Sequence, residues 1–390
     1  MEFRWSKEDE AFRQEVRAFI QEVLPPDWTG YGEENDENIE FARAVERKLG
    51  ARGWLVLAWP VEYGGLGATH WQQLIFKEEG NYQRLPGMTN LGINVIGPSI
   101  MIYGNEEQKN KYLPGIARGE IDFCQMFTEP GAGSDLGGLT TRAIRDGDYY
   151  IVNGQKTFTS GGHRADYGWL AARTDPDAPK HKGISTFVIP TNLPGITMTP
   201  QINVMGEHQQ NHVFFDNVRL PAEQLVGVEN RGWYQIMTTL DFERSGIERW
   251  SGGKRLLDDL TAFLRSERES NGKGAIPLAV RYKIADAYVT CEAARYVAYR
   301  ITNMQSQGLI PNKEASMSKV INAHFYQKMA NLGVNVLGMY GPLHRDSKWA
   351  KLCGVFEYYL LSTIPTTISG GSVEVNRNII ATRGLGLPRD

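Results

Sequence analysis

Three short stretches hold side chains whose types and spacing could do chemistry. In "LDFERSGIERW", residues 240–250, Glu243 stands among arginines and aromatics just after the apolar run "GWYQIMTTL". A carboxylate there is either a solvated helix residue paired with a cation or a base. To take a proton from a weakly acidic carbon it must be desolvated, which raises its pKa, and the developing anion needs hydrogen-bond donors. The second stretch, "FTEPGAGSDLGGL" (127–139), holds four glycines, a proline and the hydroxyls of Thr128 and Ser134. Such a loop lets backbone N–H groups approach a ligand closely, although a surface loop is the plainer reading. No Gly-Lys-Ser/Thr follows it and no GxGxxG opens a helix, so neither a P-loop nor a Rossmann turn is expected. The third, "NGQKTFTSGG" (153–162), sets Phe158 among Thr157, Thr159 and Ser160. An aromatic flanked by hydroxyls at a strand end could wall a flat heterocycle, with plain cross-strand pairing as the alternative.

These stretches need elements to hold them. Residues 1–118 read as helical. "SKEDEAFRQEVRAFIQEVL" opens with a Ser cap and an acid three residues on, and Phe12, Val16, Phe19, Ile20 and Val23 recur on one face. "ENIEFARAVERKLGARGW" repeats the pattern and stops at Gly50, "WPVEYGGLGATHW" punctuates, and "EEQKNKYLPGIARGE" reads as a short helix broken by Pro114 and Gly115. Near residue 120 the period changes. "DGDYYIVNGQKTFTSG" has a turn pair, an alternating run and then Asn-Gly, a strong hairpin signal. "KGISTFVIP", "GITMTP" and "HVFFDNVRLP" follow at strand length, with connections too short for helical crossovers, so an antiparallel β domain is expected. From about 231 long amphipathic helices return at lengths suited to an antiparallel bundle. The expected fold is α+β, with domains at 1–119 (all-α), 120–230 (β, barrel-like) and 231–390 (four-helix bundle).

Composition limits the function classes. Of 390 residues, 41% are hydrophobic and 22% charged, which is ordinary globular usage. The net charge of -3 gives no electrostatic footprint for nucleic acid. Cys124, Cys291 and Cys353 are far apart with no CxxC, and the seven histidines form no HExxH or HxH, so a protein-ligated metal is not expected. The N-terminal stretch carries acids early and reads neither as a signal peptide nor as a spanning helix, so a cytoplasmic location is expected.

The stretches "TEPGAGSD" and "DGDYYIVNGQKTFTSGG", with "WPVEYGGLG", "YGNEEQKNKYLPGIARGE", "DNVRLPAEQLVG" and the closing "GGSVEVNRNIIA", resemble the acyl-CoA dehydrogenase family in order and over nearly the whole chain. The resemblance implies a helical, β and helical layout and a flavoprotein using FAD. It implies removal of the proton α to a thioester carbonyl, transfer of the β hydrogen as hydride to FAD N5, and formation of a trans-2-enoyl-CoA. It places Met126, Phe127 and Thr128 at the flavin ring, Ser160 near N5, and Phe158 against the ring where the family commonly has Trp. Ser134 falls beside both the cofactor and the CoA arm, and Ser372 and Glu374 in the closing motif become cofactor contacts.

Many members take the base from a C-terminal "YEGT"-like motif. Here that segment reads "TISGGSVEV", with Gly370 at the expected position. A minority, including isovaleryl-CoA and long-chain dehydrogenases, place it in an Asp-x-Glu-Arg pattern on the first helix of the last domain. Asp241-Phe242-Glu243-Arg244 matches that pattern. The resemblance thus makes Glu243 the base, Arg244 a CoA-binding or orienting neighbour and Gly370 a vacated end of the substrate pocket. Glu248 lies five residues on, about 140° round a continuous helix. The vacated end suits a branched, cyclic or steroid-derived acyl chain, and the motifs lie close to those of actinobacterial steroid side-chain dehydrogenases.

The sequence departs from the family where a neighbouring subunit usually supplies FAD contacts. No Arg-x-Gln-Phe-Gly occurs, and the Gln-x-x-Gly-Gly segment reads "NVLGMYG", with Asn335 and Met339 at the differing positions. Two assemblies follow: an α2β2 heterotetramer with a related chain, or a homodimer or homotetramer with substituted contacts such as Arg281 or Lys283, which is the plainer reading. The resemblance implies an electron-transferring flavoprotein as acceptor. The competing readings are a flavin oxidase or monooxygenase of the same fold, and a non-catalytic subunit of a heteromeric dehydrogenase.

Overall fold

The computed structural model describes residues 5–30, 35–88, 90–244, 246–271 and 276–388, and the side chains of residues 36, 239–244 and 270–271 lie outside that description. The helices are α1 (Lys7–Val23), α2 (Asp36–Ala51), α3 (His70–Tyr82), α4 (Gly97–Tyr103), α5 (Glu106–Ala117), α6 (Gly232–Arg244), α7 (Arg249–Asn271), α8 (Leu278–Ser306), α9 (Asn312–Leu337), α10 (Val355–Ser362) and α11 (Val373–Ile379). Between α5 and α6 run the strands β1 (Phe123–Met126), β2 (Arg142–Asp146), β3 (Tyr149–Lys156), β4 (Tyr167–Arg173), β5 (Ile184–Pro190), β6 (Ile196–Ile202), β7 (His208–Pro221) and β8 (Leu225–Val226). The helical, β and helical order matches the fold expected from the sequence.

Two compact units divide the chain. One gathers Met1–Gly32, Thr69–Met88 and Arg244–Asp390; the other gathers Glu33–Ala68 and Thr89–Glu243. In the first, the Ser6 hydroxyl accepts the Asp9 N–H at 3.0 Å and starts α1, as the capping pattern predicts. Val16, Phe19, Ile20 and Val23 are buried along one face of that helix. The bundle core joins Leu256, Leu257 and Leu260 of α7 to Cys291 of α8, Phe325 and Met329 of α9 and Phe356 of α10. Each such side chain contributes about 1.5–3 kcal/mol on full burial.

The second unit is built on one eight-stranded sheet, ordered β6-β7-β3-β2-β4-β5-β8, with β1 paired to β4. Its core includes Cys124, Met126, Tyr150, Val152, Leu170, Phe187 and Val213. Four expectations change in detail. The sheet is mixed, because β1 and the first residue of β2 pair with β4 in parallel. The β2–β3 hairpin supplies the crossover that a helix would otherwise provide. The hairpin turn falls at Gly147-Asp148, while Asn153-Gly154 lies inside β3 at a bulge against β7. Gly154 has φ +147° there, and a Cβ would stand 2.6 Å from Thr141 Oγ1, so the position demands glycine for close approach rather than for a turn.

The helices bring the other two changes. α5 runs through Pro114 and Gly115 to Ala117, since proline near a C-terminus forfeits one bond of a ladder already ending. The stretch read as one helix around Glu243 is two, α6 and α7, so Glu248 lies between helices and the 140° relation does not hold. Among the described residues no helix is long and apolar enough to cross a membrane. No group of three or more His, Cys, Asp or Glu residues there could hold a metal ion.

Candidate active site

The loop 127–139 leaves β1, and the segment 157–162 leaves β3. A single backbone bond sets them side by side: Thr157 N–H donates to Thr128 C=O at 2.9 Å. A buried ion pair locks the same place. Lys156 Nζ, fully buried, donates to Glu129 Oε1 at 2.7 Å and to Phe127 C=O at 3.0 Å. Glu129 also accepts from Thr140 N at 2.7 Å, Thr140 Oγ1 at 2.8 Å and Thr141 N at 2.9 Å. Burial pushes the Glu129 carboxyl up, but the Lys156 charge and these hydrogen bonds outweigh it and hold the group at about 2. Burial pulls Lys156 down to about 8, against the attraction of Glu129. Both ends of the Gly-rich loop are therefore fixed to the sheet by one carboxylate.

The residues expected at the flavin fall around this junction. Met126 and Phe127 are buried, Met126 in the β core, which leaves the main chain as the part of Met126 free to meet a ligand. Thr128 is half-buried, and Ser134 and Ser160 are exposed. Phe158 is 58% exposed at φ +55°, an apolar ring presented outward on a backbone that non-glycine residues seldom adopt. Gln201 of β6 holds it there by accepting the Phe158 N–H at 3.0 Å. Thr157 Oγ1 bonds His212 Nδ1 at 3.0 Å. Behind the turn, Asn211 exchanges backbone bonds with Thr159, both at 3.1 Å, and its side-chain amide donates to Thr159 C=O at 3.1 Å. Its amide also meets the stacked rings of His163 and His208, whose centroids are 3.9 Å apart. Burial, with the neighbouring His208 and Arg164 charges, pulls His163 down to about 4.

This arrangement fits a flavin, with an exposed ring and hydroxyls beside it. Gln125 Nε2 and Trp169 Nε1, register partners in β1 and β4, are buried donors without a protein acceptor among the described residues.

α6 is seated in the same unit. Gly232 packs so closely on β5 that a Cβ would stand 2.7 Å from the Ser185 backbone. Gln235 donates to Val226 C=O at 3.0 Å and accepts from Thr186 Oγ1. Tyr103 Oη and Thr238 Oγ1 bond at 2.8 Å. Glu243 and Arg244 end the helix, and their side chains lie outside the described residues. In the other unit Gly370 and Gly371 are left-handed, at φ +62° and +85°. Ser372 caps α11 by accepting Val375 N–H at 3.3 Å. Glu374 is exposed in the first turn, and hydrogen bonds from its own N–H and from Ser372 hold its carboxyl below the usual range. Lys156, Gln201 and Asn211 were not expected at the site. Lys156 stands in the quoted "NGQKTFTSGG", but the other two come from strands more than forty residues away and carry no local signal.

Family models for the N-terminal, middle and C-terminal domains of acyl-CoA dehydrogenase match residues 6–120, 124–218 and 230–385. The chain belongs to the acyl-CoA dehydrogenase family. It is an oxidoreductase of the class that acts on the CH–CH group of an acyl-CoA, and members of the family are flavoproteins. Acyl-CoA dehydrogenase FadE29 of Mycobacterium tuberculosis is 35% identical over 386 residues, 98% of this chain and 97% of the relative. A solved steroid acyl-CoA dehydrogenase, Tcur3481-Tcur3483, superimposes with TM-score 0.90 at 36% identity, covering 100% of both chains. The ChsE4-ChsE5 complex of Mycobacterium tuberculosis gives 0.87 at 34% identity, again over 100% of both.

Proposed function

We propose that this acyl-CoA dehydrogenase oxidises the Cα–Cβ bond of an acyl-CoA to the trans-2-enoyl-CoA, with Glu243 as the base. The observation that carries the reading is the pinned junction of Thr128 and Thr157, beside which Phe158 and Ser160 are both exposed. FAD, when bound, supplies the hydride acceptor. Met126 and Phe127 through their main chains, Thr128, Ser134, Phe158 and Ser160 would hold it, and the resemblance adds Ser372 and Glu374 as cofactor contacts. Glu243 takes the α proton, because Gly370 offers no carboxylate at the family's other base position. Arg244 binds CoA or orients Glu243. We keep the domain limits 1–119, 120–230 and 231–390 as part of this proposal.

The acyl chain we infer is branched, cyclic or steroid-derived. A steroid acyl-CoA dehydrogenase at 36% identity supports this, as does the small side at Gly370. Electrons pass to an electron-transferring flavoprotein. The three free cysteines suit a reducing, cytoplasmic setting. An α2β2 assembly with a related chain is favoured over a homo-oligomer, because two neighbours of high structural similarity are named as two-component proteins.

Glu243→Gln tests the base. Turnover with a steroid-derived or branched acyl-CoA and a dye acceptor should fall by at least about 10³-fold, the scale on which a required proton acceptor acts. The yellow flavin spectrum and thioester binding should persist. Retained turnover would remove Glu243 from the role, and rapid reoxidation by O₂ after substrate reduction would favour an oxidase.

A further inference from the structure

The segment from Thr363 to Ser372 joins α10 to α11 and carries Gly370. Its first half supports itself. Pro365 C=O accepts the N–H groups of Ile368 and Ser369, each at 2.9 Å, and Gln327 Nε2 of α9 donates to Thr363 C=O at 3.2 Å. Its second half does not. Gly370 and Gly371 are both left-handed, and among the described residues no main-chain hydrogen bond is donated by Gly370, Gly371 or Ser372. Two buried side chains hold this half instead. Lys319 of α9, 5% exposed, donates from Nζ to Ser369 C=O at 2.8 Å. Asn376 of α11, fully buried, donates from Nδ2 to Gly371 C=O and Ser372 C=O, both at 2.9 Å. The bond to Ser372 is the ordinary reach of a helical asparagine to the carbonyl four residues back. The bonds to Ser369 and Gly371 lie outside any helix, and they fix the carbonyls on either side of Gly370. The arrangement has a cost. Asn376 Oδ1 is buried without a donor among the described residues, and lysine is seldom buried unless its Nζ is spent on partners. Capping α11 requires neither group, since Ser372 Oγ already does that.

We propose that Lys319 and Asn376 are positioning residues that keep the Gly370 end of the acyl pocket open, and so set the preference for bulky over straight acyl chains. The inference rests on the reading above that Gly370 borders the acyl chain. Two successive glycines are the most pliable backbone a chain can offer. Beside space that a side chain has vacated they would close over it, because an unfilled gap costs free energy that grows with its volume. Carbonyls held on both sides of Gly370 resist that collapse. Each side chain acts through the carbonyl it holds.

The test measures kcat and KM on the holoenzyme for a steroid-derived acyl-CoA and for a straight-chain one. Lys319→Met and Asn376→Ala should each lower the ratio of the two kcat/KM values about tenfold, the scale of one lost hydrogen bond. The change should come from a raised KM for the bulky ester, with kcat for the straight chain unchanged. Lys319→Arg keeps a donor and should keep most of the parent ratio. Hydrogen exchange over residues 363–372, read by mass spectrometry, should quicken in Lys319→Met and Asn376→Ala and stay near the parent rate in Lys319→Arg. Asn376→Ala is the milder change and decides the matter if Lys319→Met does not fold. Equal losses for both esters would make the two side chains supports of the fold alone and overturn the inference. So would an unchanged ratio, or exchange at the parent rate in Lys319→Met and Asn376→Ala. A parent that oxidises neither ester defeats the acyl-CoA reading, and the inference with it. A parent that oxidises both, with variants of unchanged ratio, defeats the inference alone.

Discussion

At the scale of single residues, the site depends on a charge pair that touches no proposed substrate atom. Lys156 and Glu129 are both buried and bind three separate parts of the Gly-rich loop. Removing one partner leaves an uncompensated buried charge, so Lys156→Met should cost about 3–5 kcal/mol. Lys156→Met with Glu129→Gln should cost less than the sum of the singles, and thermal unfolding of the four proteins measures that coupling. Flavin content should fall with the single variants, because Phe127, Thr140 and Thr141 lose their common anchor. The acid side has a definite sign. Glu129 titrates at about 2 in the fold against 4.5 when free, so its stabilisation is complete above about pH 4.5 and vanishes as pH falls to about 2. The gap in melting temperature between the parent and Glu129→Gln should close over that interval. Both residues stand inside stretches that their composition singled out. Their pairing was not legible, because nothing local tells a lysine at a strand end that a glutamate 27 residues earlier will be buried beside it.

At the scale of elements, β7 decides where the turn after β3 sits. Asn211 is almost fully buried and grips Thr159 by two backbone bonds and its side-chain amide. Asn211→Ala keeps the backbone bonds but leaves Thr159 C=O and the His163 and His208 nitrogens without the amide. A loss of about 1–3 kcal/mol is expected, with a shifted flavin absorbance as Ser160 moves. An unshifted spectrum at full flavin content would mean that β7 only supports the fold. Element types were readable from period and caps, as in α1, but two local signals were outweighed. Asn-Gly fits a hairpin turn, yet Gly154 lies within β3 beside a bulge against β7, where a Cβ would meet Thr141. The apolar period also continues across residues 245–248, hiding the break between α6 and α7; the Ser245-Gly246 pair was the sequence's only hint, and Gly246 turns there at φ +36°.

At the scale of the whole molecule, the proposed assembly needs a surface for a second chain, and α8 offers a candidate. Tyr282, Val289 and Tyr296 are 67%, 69% and 50% exposed at seven-residue intervals, a spacing that keeps side chains on one helix face. A row of exposed apolar side chains on a long helix suits contact with another chain. The resemblance puts contacts to a neighbour's FAD at two positions that differ here. The Asn335 amide is bonded to Asn331 C=O within its own helix, and Met339, 90% exposed, has no donor. On the proposed α2β2 reading, a related partner chain completes the cofactor surroundings that these two positions do not serve. Native mass spectrometry should find the chain expressed alone in an oligomer with less than one FAD per subunit. Co-expression with the related chain should give a complex of two of each with its flavin bound. Val289→Asp should lower the native mass in either preparation without unfolding the subunit, because the side chain it replaces faces out. A homo-oligomer of this chain carrying a full complement of FAD would exclude the partner.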